Sequence, residues 1–140
     1  MNDFSMIIVE GFSYDQFLTV KEFVHSALSP LTLVTYFPED KNTVFSQALN
    51  SCYSDAANFP ENQRLDYIIK KEDPAVKFVC FAGLSKEKIQ LLLENFPGKQ
   101  EKKMIFFTPT LNNSDWTLSF LFNHLFEEDS AFHSMKGKKQ

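Results

Sequence analysis

Four short apolar runs punctuate the chain: MIIVEG at 6–11, LTLVTYF at 31–37, KFVCFAG at 77–83 and KMIFFTP at 103–109. They are rich in β-branched and aromatic residues and mostly continuous rather than alternating, the pattern of strands covered on both faces. Segments with helical spacing follow them. Between Ser13 and Leu28, residues Phe17, Val20, Phe23, Val24, Ala27 and Leu28 share one broad stripe, with Asp15, Thr19, Glu22 and Ser26 opposite. Between Ser85 and Phe96, residues Ile89, Leu92, Leu93 and Phe96 keep the i, i+3, i+4, i+7 spacing of one buried face. Shorter helices are predicted over 43–53 and 60–71, the latter ended by EDP at 72–74. A last helix over 116–128 is apolar almost all round, so more than one of its faces needs cover.

Two turns are written alike, VEGFSYDQF at 9–17 and FAGLSKEKI at 81–89. Glycine lets the chain leave a strand without a Cβ penalty, and serine caps the helix that follows. Gln16 completes a capping box with Ser13, whereas Lys88 breaks the box after Ser85. The likeness continues: LVTYFP at 33–38 parallels MIFFTP at 104–109, and NTVFSQALN at 42–50 parallels DWTLSFLFN at 115–123. An internal repeat of 6–53 in 77–128, with an insert at 54–73, is one reading. The other is that any strand-to-helix turn attracts Gly and Ser. Alternating strands and helices predict an α/β class. The expected domain covers 1–130 as a four-stranded, mainly parallel sheet in the order 2-1-3-4, with helices on both faces. A ferredoxin-like two-layer sheet with antiparallel neighbours is the alternative, and the helical segments at 43–71 weigh against it. Residues 131–140 read as a flexible basic tail.

Composition narrows the function classes. The 140 residues suit one domain, and a net charge of −4 gives no global field for phosphate backbones, which disfavours nucleic acid. The 16 phenylalanines, with Arg64 the single arginine among 14 basic residues, read as coding bias rather than as an aromatic surface. The opening MNDFSMIIVEGF lacks the basic region and cleavage pattern of a signal peptide. No apolar stretch approaches the ~20 residues of a membrane span. Two isolated cysteines, Cys52 and Cys80, fit neither a disulfide framework nor a zinc site, and a reduced cytoplasmic setting follows.

Ligands of open α/β sheets bind beyond the carboxyl ends of the strands. That rule selects Ser13, Asp40, Ser85, Thr110 and Asn113 as candidate ligand-binding residues, where hydroxyls and helix N-terminal amides could hold a metabolite or nucleotide. The same residues serve equally as caps and turn formers, with Ser114 or Asp115 capping the last helix and Trp116 anchoring its first turn in the core. No phosphate-binding glycine motif, nucleophile elbow or metal-ligand spacing occurs in the sequence, so no catalytic residue, cofactor or metal is assigned. Glu127, Glu128 and Asp129 read as a charge run marking the frayed end of the last helix.

Thr110, Asn113, Trp116, Thr117 and Leu118, followed by Leu121 and Leu125, resemble the ending of an uncharacterised bacterial domain family. Its members close on a strand, a Thr-x-x-Asn-x-x-Trp-Thr turn and a Leu-rich helix. The likeness covers about residues 75–129 and implies no activity. The first half departs from it, with Phe37-Pro38-Glu39-Asp40 and no tryptophan. The reading that follows is a non-catalytic binding, regulatory or protein-interaction module, forming a homodimer or meeting a protein partner through Phe120, Phe122 and Phe126. The alternative is a small-molecule binder or enzyme built on the loops at the sheet edge.

Overall fold

The computed structural model describes residues 5–58, 76–98 and 103–138. In chain order the elements are β1 (Met6–Glu10), α1 (Tyr14–Ala27), β2 (Leu33–Tyr36), α2 (Phe45–Asn58), β3 (Val76–Ala82), α3 (Lys86–Glu94), β4 (Lys103–Phe107) and α4 (Leu118–Lys138). The helix expected over 60–71 lies outside the described residues. Helix α4 runs past the boundary expected at 130, so the acidic run at 127–129 lies within the helix and does not end it.

The four strands form one sheet in the order β2-β1-β3-β4, as the pattern predicts. Its directions differ from the expected mainly parallel arrangement: the sheet is mixed. β1 pairs parallel with β2 and β3 parallel with β4, but β1 and β3 run antiparallel at the centre. Continuous apolar runs report cover on both faces and say nothing about direction, which is why the sequence misleads here. Each half is a strand–helix–strand unit whose two strands are immediate neighbours. That adjacency also sets the fold apart from the ferredoxin-like alternative.

Alternation along the strands sends side chains to two cores. Ile7, Val9, Val79 and Phe81 meet Phe17, Val20 and Val24 of α1 and Leu92 of α3 on one face. Met6, Ile8, Cys80 and Phe107 meet Phe45 and Ala48 of α2 and Leu118 and Leu121 of α4 on the other. Much of the phenylalanine is spent here. Phe37 stacks on Phe107 with centroids 6.2 Å apart, and Phe122 stacks on Phe78 at 4.7 Å.

The register relates the halves. Ile8 stands opposite Cys80, 72 positions further along, and β2 and β4 pair outward with the same spacing: Ile8 with Thr35, Cys80 with Phe107. Leu33 therefore occupies the place of Ile105, one residue from the match of LVTYFP to MIFFTP seen in the sequence. A one-residue slip would exchange the faces of every side chain in the strand.

Candidate functional site

The turns after β1 and β3 are built as expected. Gly11 and Gly83 have φ of 90° and 76°, a region that favours glycine. Ser13 accepts from the Gln16 amide at 3.3 Å, and Gln16 returns the bond to the Ser13 amide at 2.9 Å. Ser85 accepts from the Lys88 amide at 3.2 Å. The phenol of Tyr36 fastens the first turn from the next strand, donating to the Phe12 and Ser13 carbonyls at 3.0 and 3.1 Å. Burial raises the Tyr36 pKa well above the ordinary phenol range, and neighbouring Tyr14 and Glu10 add to the rise. Because β1 and β3 are antiparallel, Ser13 and Ser85 sit at opposite ends of the sheet. The single ligand rim expected from four parallel strands is not formed.

The loops after β2 and β4 leave from opposite ends of the sheet but meet over the α2/α4 face, where Val44 and Thr117 form an isolated antiparallel bridge. Four backbone bonds join them in reciprocal pairs. Phe45 N–H donates to the Trp116 carbonyl at 2.7 Å and Leu118 N–H to Thr43 at 2.9 Å; Ser46 donates to Ser114 at 3.0 Å and Ser119 to Lys41 at 2.9 Å. Each helix start is thus capped by the loop leading into the other, which satisfies amides that a helix N-terminus otherwise leaves open. The side-chain cap of α4 is Thr117, whose hydroxyl accepts from the Phe120 amide at 3.2 Å. It is neither Ser114 nor Asp115, because the helix begins at Leu118, two residues later than expected.

The remaining rim candidates are engaged in this local structure. The Asp40 carboxylate accepts from the Asn42 amide at 3.0 Å. Thr110 and Asn113 bond reciprocally: the Thr110 amide donates to Asn113 Oδ1 at 2.8 Å, and the Asn113 amide to Thr110 Oγ1 at 3.1 Å. Asn113 Nδ2 then reaches the Thr108 carbonyl at 3.3 Å, and the residue is buried. Trp116 and Thr117 follow directly, and Leu118 and Leu121 seat α4 in the core.

Residues 77–132 match the profile of a domain of unknown function, DUF3783. No curated protein and no solved structure matches the chain. The DUF3783 segment takes in β3, α3, β4 and the first two-thirds of α4, one strand–helix–strand–helix half of the fold.

The first residue of that segment is the one sequence reasoning missed. Lys77 shares a face of β3 with Val79 and Phe81, and only 1% of it is exposed. Its Nζ donates to the Gly11 carbonyl at 2.9 Å and lies 5.4 Å from the centre of the Phe12 ring. The signal was present: a lysine at a core position of a period-2 strand. Lys77 lines a cavity of about 210 Å³ together with Phe12, Gln16, Thr19, Val20, Pro97, Gly98 and Met104.

A second feature of the DUF3783 segment faces outward. Trp116, in the loop before α4, and Phe120 and His124 on it form a row of rings, with Trp116 edge-on to Phe120 at 4.9 Å and to His124 at 4.8 Å. Glu128 continues the row, 3.1 Å from His124 Nε2. Phe120 is 53% exposed and Phe126 42% exposed. Phe122, expected with them, packs inward against Phe37, Phe78 and Phe107. Trp116 is split between roles, touching the core below and the ring row above.

Among the described residues no group of three or more His, Cys, Asp or Glu side chains could hold a metal ion. None of the described helices is long and apolar enough to cross a membrane.

Proposed function

We propose that this chain is a non-catalytic interaction module of the bacterial cytoplasm that pairs with a second copy of itself through the outward face of α4. The observation that carries the reading is Phe120, a large apolar side chain more than half exposed in the middle of a row of rings. Large, rigid aromatic groups make the strongest anchors at protein interfaces. A two-fold dimer would bring each row against its own copy, so one exposed residue contributes twice. The acidic net charge, −4, keeps such an association modest and salt-dependent. Sedimentation equilibrium over a wide concentration range tests the reading: a reversible dimer that Phe120→Ser dissociates is expected, and a strict monomer would overturn it.

The internal repeat belongs to the same reading, with 6–53 and 77–128 as two copies of one unit facing each other across a pseudo-two-fold axis. The pairing of Ile8 with Cys80, the bridge between Val44 and Thr117 and the reciprocal capping of α2 and α4 support it. So does the extent of the DUF3783 match, which is one such unit. On this view the DUF3783 segment is a pairing unit whose partner is supplied here by the first half of the chain. A relative with only one unit is then expected to form a two-fold dimer with its first strands antiparallel. A folded, monomeric single unit would refute the idea.

A further inference from the structure

We propose that the His124–Glu128 pair on α4 is half of a zinc site, completed by the same pair from a second copy of the chain. The inference rests on the pairing through α4 proposed above, and it names an ion that would regulate that pairing.

Three observations point to that chemistry. First, the two side chains are already spaced as ligands of one ion. His124 Nε2 lies 3.1 Å from Glu128 Oε2. Zinc takes imidazole nitrogen and carboxylate oxygen at about 2.0–2.2 Å, which sets two ligands of a tetrahedral ion roughly 3.4 Å apart. Both are accessible, with 39% of the His124 side chain and 65% of the Glu128 side chain exposed. Exposed pairs four residues apart add little to a helix, so turning this one to an ion costs the monomer little. Second, the imidazole is held in place. Trp116 meets it edge-on at 4.8 Å, and Phe120 stacks on it at 6.0 Å with 22° between the planes. Its Nε2 faces Glu128, and ligation through that nitrogen leaves the ring proton on Nδ1.

Third, the pairing itself calls for a cation. Within one chain the described residues bring no third ligand to this pair, so the set is incomplete without a second copy. The arrangement that lays each row on its own copy has its two-fold axis along the helices. Phe120 then packs on Phe120 of the second copy, and the two Glu128 carboxylates approach each other. Like charges brought together are costly unless a cation lies between them. Two His124 and two Glu128 side chains give that cation two nitrogens and two oxygens, the four donors of a tetrahedral zinc ion. Magnesium, which wants six oxygen ligands, is poorly served by the same set.

The test uses the untagged full chain, stripped with chelator, and zinc chloride as the probe. Sedimentation equilibrium gives the dimer Kd in chelator and in zinc, and calorimetry gives the stoichiometry. One zinc per two chains is expected. For a site of about 1 µM affinity, zinc at about 100 µM should tighten the dimer roughly 100-fold, and magnesium should leave it unchanged. Cobalt in place of zinc should quench Trp116, the single tryptophan, as the dimer forms. Glu128→Gln and, separately, His124→Gln should each abolish the response to zinc. A dimer that needs Phe120 but ignores zinc overturns the site and leaves the pairing standing. A monomer in zinc and in chelator alike overturns both. The site is also overturned if zinc binds one per chain without tightening the dimer, or if either variant keeps the full response.

Discussion

Replacing Phe120 by serine is the sharpest test of how the α4 surface is used. Phenylalanine buries about 200 Å² when fully covered. With 53% of Phe120 exposed, about 100 Å² remains to be covered, worth about 2.5 kcal/mol at ~25 cal/mol per Å². In a two-fold dimer the residue enters from both sides, so the pair loses up to about 5 kcal/mol, more than a ~10³-fold rise in the dimer Kd. The monomer should scarcely notice. Serine and phenylalanine have similar helix propensities, and the losses inside the monomer are the ring contacts to Trp116 and His124, about 1 kcal/mol together. Sedimentation equilibrium and light scattering give the Kd, and thermal melting of dilute protein gives the monomer stability. Leu111→Ser is the control, since Leu111 is 96% exposed but lies outside the helix; it should leave the Kd unchanged. An unaltered Kd for Phe120→Ser would refute the assignment of the surface, whatever the melting temperature does.

Three further outcomes follow from the turns. Ser13→Ala should cost about 1–2 kcal/mol and Ser85→Ala about 0.5–1 kcal/mol in denaturant unfolding, because only the first serine belongs to a reciprocal capping box. Equal costs would contradict that distinction. Asn113→Ala takes from the Thr110 amide and the Thr108 carbonyl their side-chain partner; both threonines are exposed and water can replace it, so the loss should be about 1 kcal/mol in denaturant unfolding. An unchanged stability would show that these bonds do not hold the turn together. The Tyr36 phenol has a folded pKa raised above its unfolded value. Below pH ~10 both states keep the proton. Above it the unfolded chain releases a proton that the folded chain retains, so stability falls as pH rises. Tyr36→Phe should flatten the alkaline limb of a stability-versus-pH curve, and an unchanged limb would count against the burial argument.

The fold was legible where local chemistry decides it. Glycine, serine and the helical stripe place α1 and α3 within two residues of their observed ends, and four apolar runs give four strands in the expected order. Strand direction was not legible, because the two central strands are covered on both faces whichever way they run. That one unknown carried the candidate site with it, since Ser13 and Ser85 share an edge only in a parallel sheet. The start of α4 was misplaced for a related reason. Ser114 and Asp115 are good capping residues locally, but the Ser114 and Trp116 carbonyls are held by α2 across the chain, and the helix cannot begin until Thr117. Phe122 was expected outside with Phe120; two positions apart on a helix means about 200° of rotation, so the sheet receives one and not the other. Lys77 was overlooked because a lysine beginning a strand usually marks its solvated end.

The capping arrangement also bears on which ligands this fold can take. Helix N-termini are the usual anion sites of α/β proteins, since their leading amides lack partners. Here each described helix start has part of that need met internally. Ser13 and Ser85 bind the amides opening α1 and α3, while α2 and α4 take carbonyls from each other's approach loops and Thr117 adds a hydroxyl. A phosphate arriving at any of these ends would have to displace a protein acceptor already in place, and at α2 and α4 it would also have to part the two halves of the chain.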